Sequence, residues 1–320
     1  MTEELFRFKE EKLIFLDIET VALNEELDEN SEEFSIFSWK VRDKNNDEEL
    51  DINEVKDIYK RKAALYPAHA KIVAITVGAI IKGEKILLKT YRGEEEDVLR
   101  QFVDDMQDNK GSTFVIWNAP FDMPMIRKRF FINRLQGYLS DAQGNDSMKK
   151  PWTLKGILDM MDVWKGITYA NDSMNEVAWS MGLPSPKTDM KGSEVSAAFY
   201  DGRIDDIVTY NQKDVITLAN IYRILTEKEP ITEVIIREHI PVTPVLVRIY
   251  ESKEISEKDK EDLRKLVLVK KPTEEEIEVI RDMVTNLYIQ SKMFEADSKA
   301  VVEEKTNEVN ELIEEICKKK

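Results

Sequence analysis

Asp17 and Glu19 close an otherwise apolar run, Leu13-Ile-Phe-Leu-Asp-Ile-Glu-Thr20. Two acids one step apart are costly to bury unless something offsets their charge. Hard divalent cations such as Mg²⁺ and Mn²⁺ take carboxylate oxygens, so this pair reads as half of a metal site. Two later stretches offer the other half. Thr113-Phe-Val-Ile-Trp-Asn-Ala-Pro-Phe-Asp122 brings a third acid, and Tyr210-Asn-Gln-Lys-Asp214 brings a tyrosine and a fourth acid. Taken alone, Asp122 reads as a helix N-cap, and the Tyr210/Asp214 pair is ordinary.

The elements that must position these residues follow from the pattern around them. Leu13 to Ile18 suits a central strand covered on both faces, and strand alternation points Asp17 and Glu19 to one side. Thr113 to Trp117 is a second apolar strand that breaks at Asn118-Ala-Pro120, with Asp122 where a helix would begin. From about Ile204 to Ile224 the spacing of Ile204, Ile207, Val208, Val215, Leu218 and Tyr222 predicts an amphipathic helix. Tyr210 and Asp214, four apart, share one face of it.

In that order, D-x-E at a strand end, N-x-x-F-D and Y-x-x-x-D on a helix resemble the DEDD superfamily of 3′–5′ exonucleases, and the tyrosine points to its DEDDy branch. The stretches between the motifs resemble the stand-alone group related to the proofreading domain of family B DNA polymerases. They are Ala64-Leu-Tyr-Pro67, Lys71-Ile-Val-Ala-Ile-Thr-Val-Gly78, Leu158-Asp-Met-Met-Asp-Val-Trp164, Asn175 to Pro184 and Gly202 to Tyr210. The likeness ends after Leu225. It implies a ribonuclease H-like α/β fold, a mixed five-stranded sheet flanked by helices. It also implies two divalent cations, Mg²⁺ or Mn²⁺, held by Asp17, Glu19, Asp122 and Asp214, with Tyr210 orienting the attacking water. Thr20, Asn118 and Phe121 match family positions that contact the terminal nucleotide. The other DEDD branch has a histidine five residues before the last acid. Here that residue is Thr209, and the two histidines, His69 and His239, lie outside the motifs.

Composition bounds the rest. A chain of 320 residues, 42% hydrophobic and 34% charged, suits a soluble globular protein of one large domain, or of one domain plus an appendage. No apolar run approaches the roughly 20 residues of a membrane span, and Met1-Thr-Glu-Glu-Leu-Phe-Arg-Phe does not read as a signal peptide. Cys317 is the single cysteine, which excludes an intramolecular disulfide and a thiolate metal site and makes the cytoplasm the expected compartment. A net charge of −16 argues against a general nucleic-acid coat protein but not against an enzyme that grips a few nucleotides at one end. Local cations stand at Arg127-Lys-Arg129, Arg134, Lys149-Lys150, Lys187 and Lys191, as substrate contacts or as solvated surface.

The expected domains are an exonuclease domain over 1–228, with a surface insertion at 24–66, and a mainly helical extension over 229–320. Further strands are expected at Ile72–Ile80, Lys85–Thr90 and Ile157–Val163, and helices at Ile52–Ala64, Glu94–Met106 and Ile231–Ile240. Asp162 is weighed as a further ligand and as an edge-strand cap. Trp164, Trp179 and Phe199 are weighed as base-stacking groups and, more simply, as core. In the extension, Thr273 and Glu276 form a capping box. Ile277, Ile280, Val284 and Leu287, then Val302, Val309, Leu312 and Ile316, give narrow apolar stripes like a coiled-coil seam. Such helices fold back on the nuclease, or bind a polymerase or a second copy. The favoured function is exonuclease action on a DNA 3′ end, single-stranded, in proofreading or end trimming during replication or repair. An exoribonuclease and a catalytically silent binding module are the alternatives, because nothing in these motifs reads a 2′-hydroxyl.

Overall fold

The computed structural model describes residues 5–42, 50–81, 84–108, 112–135, 156–166, 171–184, 190–237 and 255–267, with five further helical positions between 279 and 287. Among the described residues there are six strands, β1 (Leu13–Ala22), β2 (Ala70–Ile81), β3 (Lys85–Arg92), β4 (Thr113–Ile116), β5 (Ile157–Asp159) and β6 (Glu233–Arg237), in the order β5-β4-β1-β2-β3-β6. β2 runs antiparallel to β1 and β3, whereas β4, β5 and β6 run parallel to their partners. The first five make the expected mixed ribonuclease H-like sheet, and β6 extends it at the β3 edge.

The helices are α1 (Glu32–Val41), α2 (Ile52–Lys62), α3 (Glu95–Asp108), α4 (Ala119–Ile132), α5 (Met160–Lys165), α6 (Met174–Ser180), α7 (Val195–Tyr200), α8 (Ile204–Leu225) and α9 (Glu257–Val267). Alternation along β1 sorts two cores. Ile14, Leu16 and Ile18 pack with Phe102 of α3 and with Met123, Ile126 and Phe130 of α4. Leu13 and Phe15 pack on the opposite face with Val215, Leu218 and Tyr222 of α8. Gly78 of β2 makes that second layer tight, because a Cβ there would stand 2.8 Å from both Val215 Cγ1 and Ile86 Cδ1.

The insertion has a small core of its own. Ser31 caps α1 by accepting the Phe34 N–H at 3.0 Å, and a reciprocal Asp51/Glu54 box starts α2. Phe37 packs between Tyr59 and His69, and Glu33 accepts the Tyr59 hydroxyl at 2.9 Å and lies 3.2 Å from His69 Nδ1.

Three expected elements differ. The strand expected over Ile157–Val163 stops at Asp159, whose side chain accepts the Met161 N–H and starts α5. The helix expected over Ile231–Ile240 is β6 where it is described. A Val-Ile-Ile run fits either element, and pairing with Ile86–Lys89 of β3 decides it. The helix after β4 begins at Ala119, so Asp122 lies a turn inside α4 rather than at its cap.

The chain divides into two compact units, Met1–Arg237 and Glu238–Lys320. In the second, Leu263 of α9 and Ile280, Val284 and Leu287 are buried. The capping box at Thr273 and Glu276, the last apolar stripe, Lys149, Lys150, Lys187 and His239 lie outside the described residues.

Candidate active site

Asp17 and Glu19 sit on the face of β1 that α8 covers. Val21, next on that side, packs with Ile207 and Tyr210 of α8. Asp214 is buried one turn further along the helix. One carboxylate oxygen from each of Asp17, Glu19 and Asp214 lies within 4.8 Å of the other two. The β1–β2 register slips at this point, Glu19 facing Ala74 and Thr20 facing Ile72, with Val73 as the extra residue. Such a bulge re-aims the side chains beside it. Thr20 then donates its hydroxyl to the Ala64 carbonyl at 2.8 Å, which ties the site's edge to the end of the insertion.

Asp122 stands on α4, which packs against the opposite face of β1. That separates it from the three acids, and it is not one of the group held within 4.8 Å. It is 3% exposed, and the backbone of Ile18, the residue between Asp17 and Glu19, draws its pKa down against burial. Asn118 begins α4 in the left-handed region at φ 69°, with no side-chain capping bond. Asp159 fixes that turn, accepting the N–H groups of Asn118 and Ala119 at 3.1 and 3.0 Å. Phe121 is half-buried against the core under α4.

Burial, then the charges of Asp214, Glu19 and Asp122, push the Asp17 carboxyl well above the usual carboxylate range, and a hydrogen bond from Asn211 offsets part of this. Burial likewise raises Asp122, against the pull of its own and the Ile18 backbone N–H groups. Tyr210 is raised above an ordinary phenol by burial and by the neighbouring acids Asp214, Glu19 and Asp17. It is therefore neutral near physiological pH and acts as a donor. Thr209 bonds back to the Asp205 carbonyl at 2.9 Å.

Three oxygen donors, with no nitrogen or sulfur ligand among them, suit a hard divalent cation. Crowded like charges become favourable once such an ion is shared. The donor set of Asp17, Glu19 and Asp214 therefore fits the metal that the sequence pattern implies.

Other candidates fall elsewhere. Asp162 is exposed in α5, and the neighbouring Asp159 does the capping. Trp164 and Phe199 pack against cores, whereas Trp179 is 77% exposed. Arg129 is no surface cation. It is 5% exposed and donates to Glu95 at 2.8 and 2.5 Å and to the Pro67 carbonyl at 3.0 Å. Asp159 and Asn211 are the polar residues that the sequence pattern passes over. The signal for each is a polar side chain inside an otherwise apolar stretch beside a motif.

Among the described residues no helix is long and apolar enough to cross a membrane. A comparison with curated proteins finds no match. A family described as "Predicted 3'-5' exonuclease related to the exonuclease domain of PolB" matches residues 65–232, a span that holds Asp122, Tyr210 and Asp214 and leaves out β1. That match covers more than half of the chain, and the mixed sheet and the acidic cluster agree with it. The chain belongs to this family of predicted 3′–5′ exonucleases related to the exonuclease domain of PolB.

Proposed function

We propose that this protein is a metal-dependent 3′–5′ exonuclease of the DEDDy type, which shortens DNA from its 3′ end and releases nucleoside 5′-monophosphates. The observation that carries the reading is the convergence of Asp17, Glu19 and Asp214 within 4.8 Å, beside a neutral Tyr210 hydroxyl. Two divalent cations, Mg²⁺ or Mn²⁺, would be held by Asp17, Glu19 and Asp214, with Asp122 on the far side. They would supply an acidified water and charge stabilisation at the leaving 3′ oxygen.

The chain's own groups prepare the rest. Tyr210, one turn before Asp214 on α8, stands ready to orient the attacking water as a donor, since a raised phenol is not a base near neutral pH. Asn118, fixed by Asp159, and Phe121 hold the terminal nucleotide at the start of α4. Thr20 keeps the strand end in place through its bond to Ala64. DNA is the proposed substrate, with proofreading or end trimming as the setting, and the same chemistry would serve an RNA end.

The test is an oligonucleotide carrying its label in the 3′-terminal nucleotide, incubated with Mn²⁺ as DNA and as RNA. The reading expects a labelled nucleoside 5′-monophosphate from DNA as the first product. Release of the label as an unphosphorylated nucleoside, or of internal fragments first, would contradict it. Faster release from RNA would make the enzyme an exoribonuclease.

A further inference from the structure

We propose that Asn211 is a positioning residue for divalent-cation binding, holding the Asp17 carboxylate in the orientation the acidic cluster requires. The proposal rests on reading Asp17, Glu19 and Asp214 as a cation site. Asn211 follows Tyr210 on α8, one turn before Asp214, and is 0% exposed. Its Nδ2 donates to Asp17 Oδ2 at 2.6 Å, a short, charge-assisted bond that joins β1 to α8 inside the site.

A carboxylate on a strand end turns readily about its side-chain torsions, and two neighbouring acids would drive it outward. A fixed donor on the opposite element removes that freedom. Asp17 then stays turned toward Glu19 and Asp214.

The other end of the amide points the same way. An ionised carboxylate only accepts, so the atom facing Asp17 is the amide nitrogen and the remaining atom is a carbonyl oxygen. That oxygen is buried and receives no hydrogen bond from any described residue. Buried acceptors left empty are uncommon in folded proteins. Because both polar atoms share one carbon, Oδ1 also lies beside the Asp17 carboxylate, where water on a bound cation would supply the missing donor. Asparagine suits both tasks. Aspartate would add a fourth charge and serine would not reach.

The test titrates Mn²⁺ into the full chain by calorimetry for wild type, Asn211→Leu and Asn211→Ser, with the Tm of each measured in EDTA. The proposal expects Mn²⁺ binding to weaken by about tenfold or more in both variants. An asparagine with only a structural role would lower the Tm and leave the Kd unchanged. An unchanged Kd in either folded variant therefore overturns the assignment, and Asn211→Ser carries the test should Asn211→Leu fail to fold. Absence of Mn²⁺ binding by wild type would instead overturn the cation reading itself, and this assignment with it.

Discussion

Asp159 receives the backbone N–H groups of Asn118 and Ala119 on its two carboxylate oxygens, at 3.1 and 3.0 Å, and so holds Asn118 at a positive φ. One acid at the end of β5 thereby sets where α4 begins, and with it where Asp122 points. The same carboxylate accepts the Met161 N–H at 3.0 Å and starts α5.

Replacing Asp159 with alanine leaves these N–H groups without an acceptor and should cost about 2–3 kcal/mol of stability. Asp159→Asn retains one carbonyl and should cost less. Urea unfolding measures both, and equal losses would show that the retained carbonyl contributes nothing.

The crowding of acids predicts a pH dependence in the metal-free protein. Burial raises Asp17, Asp122 and Asp159, and for Asp17 and Asp122 the rise is well above the ordinary value of 3.8. A carboxyl raised on folding binds more protons folded than unfolded between its ordinary and raised values. Stability therefore falls as pH rises through that window, and the cost is complete above the folded value. In EDTA, Asp17→Asn should have a higher Tm than wild type near neutral pH, and the gap should close toward about pH 4. Mn²⁺ should raise the wild-type Tm and stabilise the variant less. A gap that widened toward acid would carry the wrong sign.

Arg129 and Glu95 form a buried pair at the base of α4, and Glu95 also accepts the Ile72 N–H at 2.7 Å and Asn133 Nδ2 at 2.8 Å. Arg129→Met strands that carboxylate and should destabilise by about 3–5 kcal/mol. Adding Glu95→Gln should recover part of the loss, which a double-mutant cycle in denaturant would measure.

Gly78→Ala should cost about 1–3 kcal/mol, because the new methyl meets Val215 on α8 and Ile86 on β3 at 2.8 Å. Val215 follows Asp214, so the same change should weaken Mn²⁺ binding beyond its effect on the fold. Calorimetric titration of the folded variant checks this.

Much of the fold was legible because long periodic stretches carry their own signal. The apolar run of β1 announced a buried strand, and its alternation put Asp17 and Glu19 on one side. The spacing of α8 put Tyr210 and Asp214 on one face. What stayed hidden depends on partners distant in sequence. Asp122 looks like a helix cap until Asp159, 37 positions on, is seen to start α4 at Ala119. Arg129 looks like a surface cation until Glu95 is placed beside it. The segment at Glu233–Arg237 has no preference of its own between helix and strand, and β3 makes the choice. Asn211 is an unremarked polar residue until β1 brings Asp17 to it.

The most direct test of the central claim is a time course on 5′-labelled single-stranded DNA with Mn²⁺, run beside Asp17→Ala and an EDTA control. The account predicts a ladder that shortens from the 3′ end, lost in EDTA and slowed about 10³-fold or more by the substitution. Shortening that continued unchanged in Asp17→Ala would contradict the assignment of the acidic cluster as the catalytic centre, as would intact DNA and RNA ends with wild type.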